Sequence, residues 1–308
     1  MKKNKILNYL SAGIIAISSA GCFEKVQAIQ EQKTNVPITQ ASISQGIYSN
    51  PIIIDPGHGG LDSGAYVDKV SESSITYDIS VRLKKALEEN NYSVYQTVFN
   101  KTLGFEPQDT LNNLKDSYLV YSNRETFDLT KKALDERCMV IKELTQNSIN
   151  PMLVSIHVNS ASPKIKGADI FYPLNKDYCS INGEITSKIL SQRINTSFLE
   201  NNVLINYDAK LEPDEIFADY LPNLGNVHGT IHSNGYRLKI FSKTSLTNLE
   251  TKILIEVGNL QNKDDQKRLL DSNERQLIAD SIAKGIMDYD KNEGSEFYRF
   301  KNTNNLYK

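Results

Sequence analysis

The chain has 308 residues, a formal charge of −2 at pH 7 and no long basic run, which excludes nucleic acid as a partner. Its three cysteines, Cys22, Cys138 and Cys179, are too few for a disulfide framework or a cysteine-rich metal site. The apolar stretch near the start falls short of the roughly 20 residues of a comfortable membrane span, so an integral membrane protein is not expected.

Met1-Lys2-Lys3-Asn4-Lys5 is a basic start, Ile6 to Ile17 is mostly apolar, and the small residues Ser18-Ser19-Ala20-Gly21 follow. This is the pattern of an export signal, placed at residues 1–28. Ala20-Gly21-Cys22 looks like the end of a bacterial lipobox, which would lipidate Cys22 and anchor the chain to a membrane. Ser19 stands where a large aliphatic residue is usual, and this leaves ordinary cleavage after Ala20 or Ala28 open. Residues 29–50 are polar and read as a flexible linker. Residues 51–290 then suffice for one large domain, with no room for a second, and 291–308 form a polar tail.

Ile52-Ile53-Ile54, closed by Pro56-Gly57, predicts a buried parallel strand. Ser71 can cap a helix with Ile75, Ile79, Leu83 and Leu87 on one face, ending at Asn90-Asn91. A strand over Ser93 to Val98 completes a βαβ start. The pattern continues with a helix over Ala133 to Leu144, a strand at Met152 to Ile156, a strand at Ala168 to Tyr172 and a helix through Ile185, Ile189, Ile194 and Phe198. Ile253-Leu254-Ile255 is the last core strand, and one helix runs from about Asp264 to Met287. The alternation predicts an α/β fold, a single domain with a mostly parallel central sheet and helices on both faces. Lys101 to Lys132 and Asn201 to Asn234 break it; connections of that length are lids, binding loops or disordered insertions.

Four side chains stand at the edges of these elements. His58 and His157 follow apolar strands, Glu72 heads the first helix, and Glu256 ends the last strand, so all four converge where ligands gather in open α/β sheets. Two imidazoles and a carboxylate can hold zinc with a position open for water, and a second carboxylate can act as base. Gly57, Gly59 and Gly60 permit a tight turn around His58. Directly after an apolar strand, Glu256 is desolvated and needs a partner. That partner is a nearby cation or, alternatively, a buried arginine such as Arg137. His228 and His232 lie among glycines and read as loop residues.

Ile54-Asp55-Pro56-Gly57-His58-Gly59-Gly60-Leu61-Asp62-Ser63-Gly64-Ala65, then Glu72, Ser155-Ile156-His157 and Glu256-Val257-Gly258, together resemble the zinc-dependent N-acetylmuramoyl-L-alanine amidases of bacterial cell walls. The resemblance spans roughly residues 51 to 288. It implies zinc (Zn2+) held by His58, Glu72 and His157, Glu256 as the catalytic carboxylate, peptidoglycan as substrate, and a place in the cell envelope. Leu134-Asp135-Glu136-Arg137 resembles the family's Leu-x-x-Arg helix start, and Asn159 matches an asparagine found in some members. Asn259 departs from it, standing where phenylalanine is usual, and Pro173 to Asn182 is too short for the blocking helix of the cell-division members. A zinc peptidase acting on the stem peptide alone and an idle or autoinhibited wall-binding protein are the competing readings.

Overall fold

Three successive isoleucines suit a strand covered on both faces, and they lie in β1 (Ile52–Pro56), inside the main sheet. The computed structural model describes residues 51–111, 117–119, 130–145, 148, 150–174, 178–206, 231–233, 238–244 and 249–294. The export signal, Cys22, the linker, His228, much of both long connections and residues 295–308 lie outside the described residues.

Six strands form the sheet in the order β4 (Val94–Gln96), β1, β7 (Met152–Asn159), β10 (Thr251–Asn259), β8 (Asp169–Tyr172) and β9 (Ile231–Ser233), while β2 (Tyr66–Val67) and β3 (Val70–Ser71) pair with each other apart from it. The first four are parallel; β8 runs antiparallel to β10, and β9 is parallel to β8. This is the expected α/β arrangement. Ile52, Ile54, Val154, Ile156, Ile253 and Ile255 pack against α1 (Glu72–Glu89), α3 (Ile181–Glu200) and α6 (Ser272–Tyr289). The alternate residues Ile53, Leu153 and Leu254 pack against α2 (Thr130–Thr145) and α4 (Lys239–Lys243) on the other face.

Several elements differ from expectation. The strand expected over Ser93 to Val98 breaks at Thr97, whose side chain turns into the sheet to bond Asp55, and resumes as β5 (Val98–Asn100), paired with β6 (Ser117–Leu119). The single C-terminal helix is two, α5 (Lys263–Leu270) and α6, because Asp271 adopts an extended conformation and its side chain caps the N–H of Asn273. The tail begins with a helical turn over Asp290–Gly294. His232 belongs to the edge strand β9 and not to a loop.

A buried ion cluster fastens the first part of the long connection to the helices. Asp78 Oδ2 accepts from Arg82 Nε at 2.8 Å and Arg275 Nε at 2.6 Å, and Oδ1 accepts from the Gln108 N–H at 2.6 Å. Both guanidinium groups also donate to the Gln108 carbonyl, and Arg275 donates to the end carbonyls of α5 at Leu269 and Leu270. One carboxylate therefore balances two cations in the interior. Replacing Asp78 with alanine is expected to cost about 3–5 kcal/mol, read as a lower urea midpoint. A midpoint matching the parent would show that the cluster is dispensable.

Candidate functional site

The turn after β1 is held from three directions. The Gly57 N–H donates to Ile156 O at 2.7 Å, Thr76 Oγ1 donates to Gly57 O at 2.8 Å, and Arg137 Nη1 donates to Pro56 O at 2.6 Å. Beneath it, buried Asp55 accepts from Thr97 Oγ1 (2.6 Å), Ser155 Oγ (2.9 Å) and Arg137 Nη1 (3.2 Å). Arg137 is thus committed to Asp55, which removes the salt bridge to Glu256 that the sequence left open.

His58 follows with φ at 66°, an uncommon conformation outside glycine that a tightly constrained site can maintain. Its Nδ1 lies 2.9 Å from Asp62 Oδ2, which directs Nε2 toward Glu72 Oε2 at 3.3 Å. The Nδ1 of His157 lies 3.0 Å from Glu72 Oε1, and the two imidazole centroids are 5.1 Å apart. Glu72 enters from the first turn of α1, where Ser71 accepts from the Ser74 N–H as the helix cap. The N–H groups of Ala65 and Val158 each donate to it at 3.0 Å. Such close packing leaves no room for larger residues. A Cβ on Gly57 would come within 2.6 Å of the His157 ring, and one on Gly64, at φ +63°, within 2.6 Å of both Glu72 and His58.

The ligand atoms of His58, Glu72 and His157 all fall within 4.8 Å of one another. Two imidazole nitrogens and a carboxylate oxygen at that spacing are a donor set suited to a divalent transition metal. The charges point the same way. Burial opposes a proton on His58, but the carboxylates of Asp62 and Glu72 outweigh it and push its pKa up to about 9. Burial likewise opposes the charge on Glu72, yet the hydrogen bonds from His157 and His58 hold its carboxyl well below the usual range. A proton on His58 thus supplies, between the two carboxylates, the kind of positive charge that a metal held here would supply.

Glu256 is opposite His157 in the β7–β10 pairing and opposite Asp169 in the β10–β8 pairing, so the three form one row across the sheet. Among the described residues Glu256 Oε2 has no hydrogen-bond partner, although it is shut off from solvent. Burial first, then the charges of Glu72 and Asp169, push the Glu256 carboxyl up to about 8, with His58 opposing. All four residues singled out in the sequence therefore meet.

Sequence reasoning passed over Asp62 and Asp169. Asp62 carried a usable signal, an acid four residues after His58 within the glycine-rich turn. Asp169 carried none, because its place beside Glu256 depends on an antiparallel register that composition does not encode. Asn206, which donates to both Asp169 oxygens at 3.2 and 3.3 Å, lay in a stretch read as a connection.

Residues 52–288 match the family model described as N-acetylmuramoyl-L-alanine amidase. An uncharacterized cell wall amidase of Bacillus anthracis is 26% identical over 266 residues, covering 85% of this chain and 39% of the relative, so the chain spans well under half that protein's length. The germination-specific N-acetylmuramoyl-L-alanine amidase of Bacillus subtilis is 27% identical over 244 residues, covering 79% of this chain and 81% of the relative. The CwlD amidase of Clostridioides difficile, whose structure was solved in complex with the GerS lipoprotein, shares the fold. It has a TM-score of 0.52 at 24% identity and covers 78% of this chain and 98% of its own.

Metal binding by His58, Glu72 and His157 should release a proton, since His58 keeps one up to about pH 9 and must lose it to become a ligand. Affinity is expected to climb as pH rises toward about 9 and level off above, as followed by chelator competition. A flat profile would remove His58 from the ligand set. Asp62→Asn, which disturbs the orientation of His58, is expected to weaken metal binding about 10–100-fold.

Proposed function

Because the chain belongs to the N-acetylmuramoyl-L-alanine amidase family, we propose that it cleaves the amide between N-acetylmuramic acid and L-alanine of the peptidoglycan stem peptide, using zinc held by His58, Glu72 and His157 and Glu256 as the acid–base group. The observation that carries this reading is the convergence of three ligand atoms within 4.8 Å, one of them from His157, which stands directly opposite Glu256 in the sheet, and the Glu256 Oε2 has no hydrogen-bond partner among the described residues. The domain responsible corresponds to residues 51–290.

Zinc in this centre would polarise the scissile carbonyl, lower the pKa of water toward about 7 and offset the charge of the oxyanion. Glu256 accepts the proton of the attacking water and returns it to the amine nitrogen as the C–N bond breaks. Desolvation suits it to both tasks, since a carboxyl group raised to about 8 can hold and release a proton near neutral pH. Asp62 keeps His58 in one orientation through Nδ1, and the N–H groups of Ala65 and Val158 keep Glu72 from rotating away. Arg137 and Thr76 fix the turn that carries His58.

This substrate accords with export through residues 1–28 and action in the cell envelope. Lipidation of Cys22 would tether the enzyme to a membrane, and the mass of the mature amino terminus distinguishes it from cleavage after Ala20 or Ala28.

Mass spectrometry of purified peptidoglycan treated with the protein tests the reaction. Stem peptides with free L-alanine amino termini are expected, lost on chelation and restored by zinc. Cuts within the stem peptide would make the protein a peptidase, and binding without release would make it a wall-binding protein. Glu256→Gln is expected to lower turnover about 10²–10⁴-fold with zinc still bound, whereas His58→Ala and His157→Ala lose the metal. Near-normal turnover by the Glu256 variant would rule out its assigned role.

A further inference from the structure

The segment from Ser160 to Gly167 joins β7 to β8, and β10 lies between those strands in the sheet. The connection must therefore pass over the carboxyl end of β10, beside Glu256. Its course is set by side chains from the end of that strand and the chain after it. Buried Asn259 donates from Nδ2 to the carbonyls of Ser162 and Ile165, both at 2.8 Å, and its Oδ1 accepts from the Ala161 N–H at 3.2 Å. Asn262 Nδ2 donates to Pro163 O at 2.8 Å, and Asp265 Oδ2 accepts from the Gly167 N–H at 2.7 Å.

These bonds immobilise a stretch that supplies little core. Ser160, Ser162, Pro163, Lys164 and Lys166 are all exposed. A loop fixed in place while its side chains face solvent is organised for a ligand, because the entropy of ordering it has already been met in the fold. The segment contains two lysines and no acidic residue, whereas the centre below it is lined by Asp62, Glu72, Asp169 and Glu256. In the proposed reaction Glu256 delivers its proton to the leaving amine, so the peptide side of the bond departs from the Glu256 end of the site, under this segment.

We propose that Ser160 to Gly167 is the stem-peptide subsite, where Lys164 and Lys166 bind a carboxylate of the peptide on the amine side of the cleaved bond. The inference rests on the amidase reading. Asn259 is a positioning residue for the subsite, and the lysines supply recognition.

The test uses the zinc-loaded full chain carrying Glu256→Gln, whose slowed turnover leaves the substrate intact during titration, and a soluble N-acetylmuramoyl peptide with its carboxylates either free or converted to amides. Calorimetry is expected to show the free-carboxylate peptide binding about fivefold more tightly, and Lys164→Gln with Lys166→Gln is expected to abolish that preference. In the active background the same pair should raise KM and leave kcat unchanged. Both lysines are exposed, so the fold tolerates their replacement. Equal binding of the two peptides, no binding of either, or a preference that survives the double substitution overturns the proposal. Failure of the amidase reading is distinguishable: the protein without substitutions then frees no L-alanine amine from peptidoglycan.

Discussion

The carboxylate of Glu72 ties the start of α1 to the turn after β1, to the Ala65 backbone and to the end of β7. One oxygen receives the Val158 N–H and faces His157; the other receives the Ala65 N–H and faces His58. A carboxylate at 4% exposure costs several kcal/mol to desolvate unless its lone pairs are occupied. Here each oxygen has one backbone donor and one imidazole, so the charge is retained. The same contacts set the spacing of the two rings. The start of α1, the turn after β1 and the end of β7 are therefore mutually fixed before any metal arrives. The Ser71 cap contributes by starting the helix at the residue that must carry the carboxylate.

The sheet supplies the rest of the alignment through its pleat. Residues on one face of β1, β7 and β10 are apolar along their length and pack on α1, α3 and α6. The opposite face changes character along the strands. Ile53, Leu153 and Leu254 are apolar and lie over α2 and α4, while Asp55, Ser155 and Glu256, two residues further on, are polar. Asp55 tolerates complete burial because Arg137, Thr97 and Ser155 together satisfy it, with charge-assisted bonds that contribute more than neutral ones. Glu256 Oε2 lacks such a partner among the described residues, so of these two carboxylates on one face the first is fully satisfied and the second is not.

Local patterns were readable where one residue type answers one demand. Ile52 to Ile54 imply a strand buried on both faces, the four-residue spacing from Ile75 to Leu87 implies the buried stripe of α1, and Ser71 marks its start. The cluster of His58, Glu72 and His157 was readable because each stands at the end of such an element. What escaped depended on pairing over distance. Asp169 reaches Glu256 only because β8 returns antiparallel to β10. The break at Asp271 was hidden by continuous helical periodicity, since Leu270 and Leu277 suit one helix as well as two. The break is set by the Asp271 cap and by Arg275, which bonds the last carbonyls of α5. The ties of the first part of the connection after Lys101, from Gln108 to Asp78, Arg82 and Arg275, left no local mark in the sequence because their partners lie on distant helices.

Asn259 shows how a departure from the family pattern carries information. A phenylalanine at that position would fill space and place its neighbours by shape alone. An asparagine with no exposure must instead satisfy its amide, and it does so entirely with backbone groups, among them those of Ala161, Ser162 and Ile165. Hydrogen bonds are directional, so the exchange turns a packing contact into a fixed orientation of the chain over β10. Asp265 continues the same logic one turn into α5, linking the N–H groups of Asn259 and Gly167 through a single oxygen. The end of the strand that bears Glu256 and the segment that passes over it are thus tied together by directional hydrogen bonds from Asn259 and Asp265, and their relative course is set within the fold.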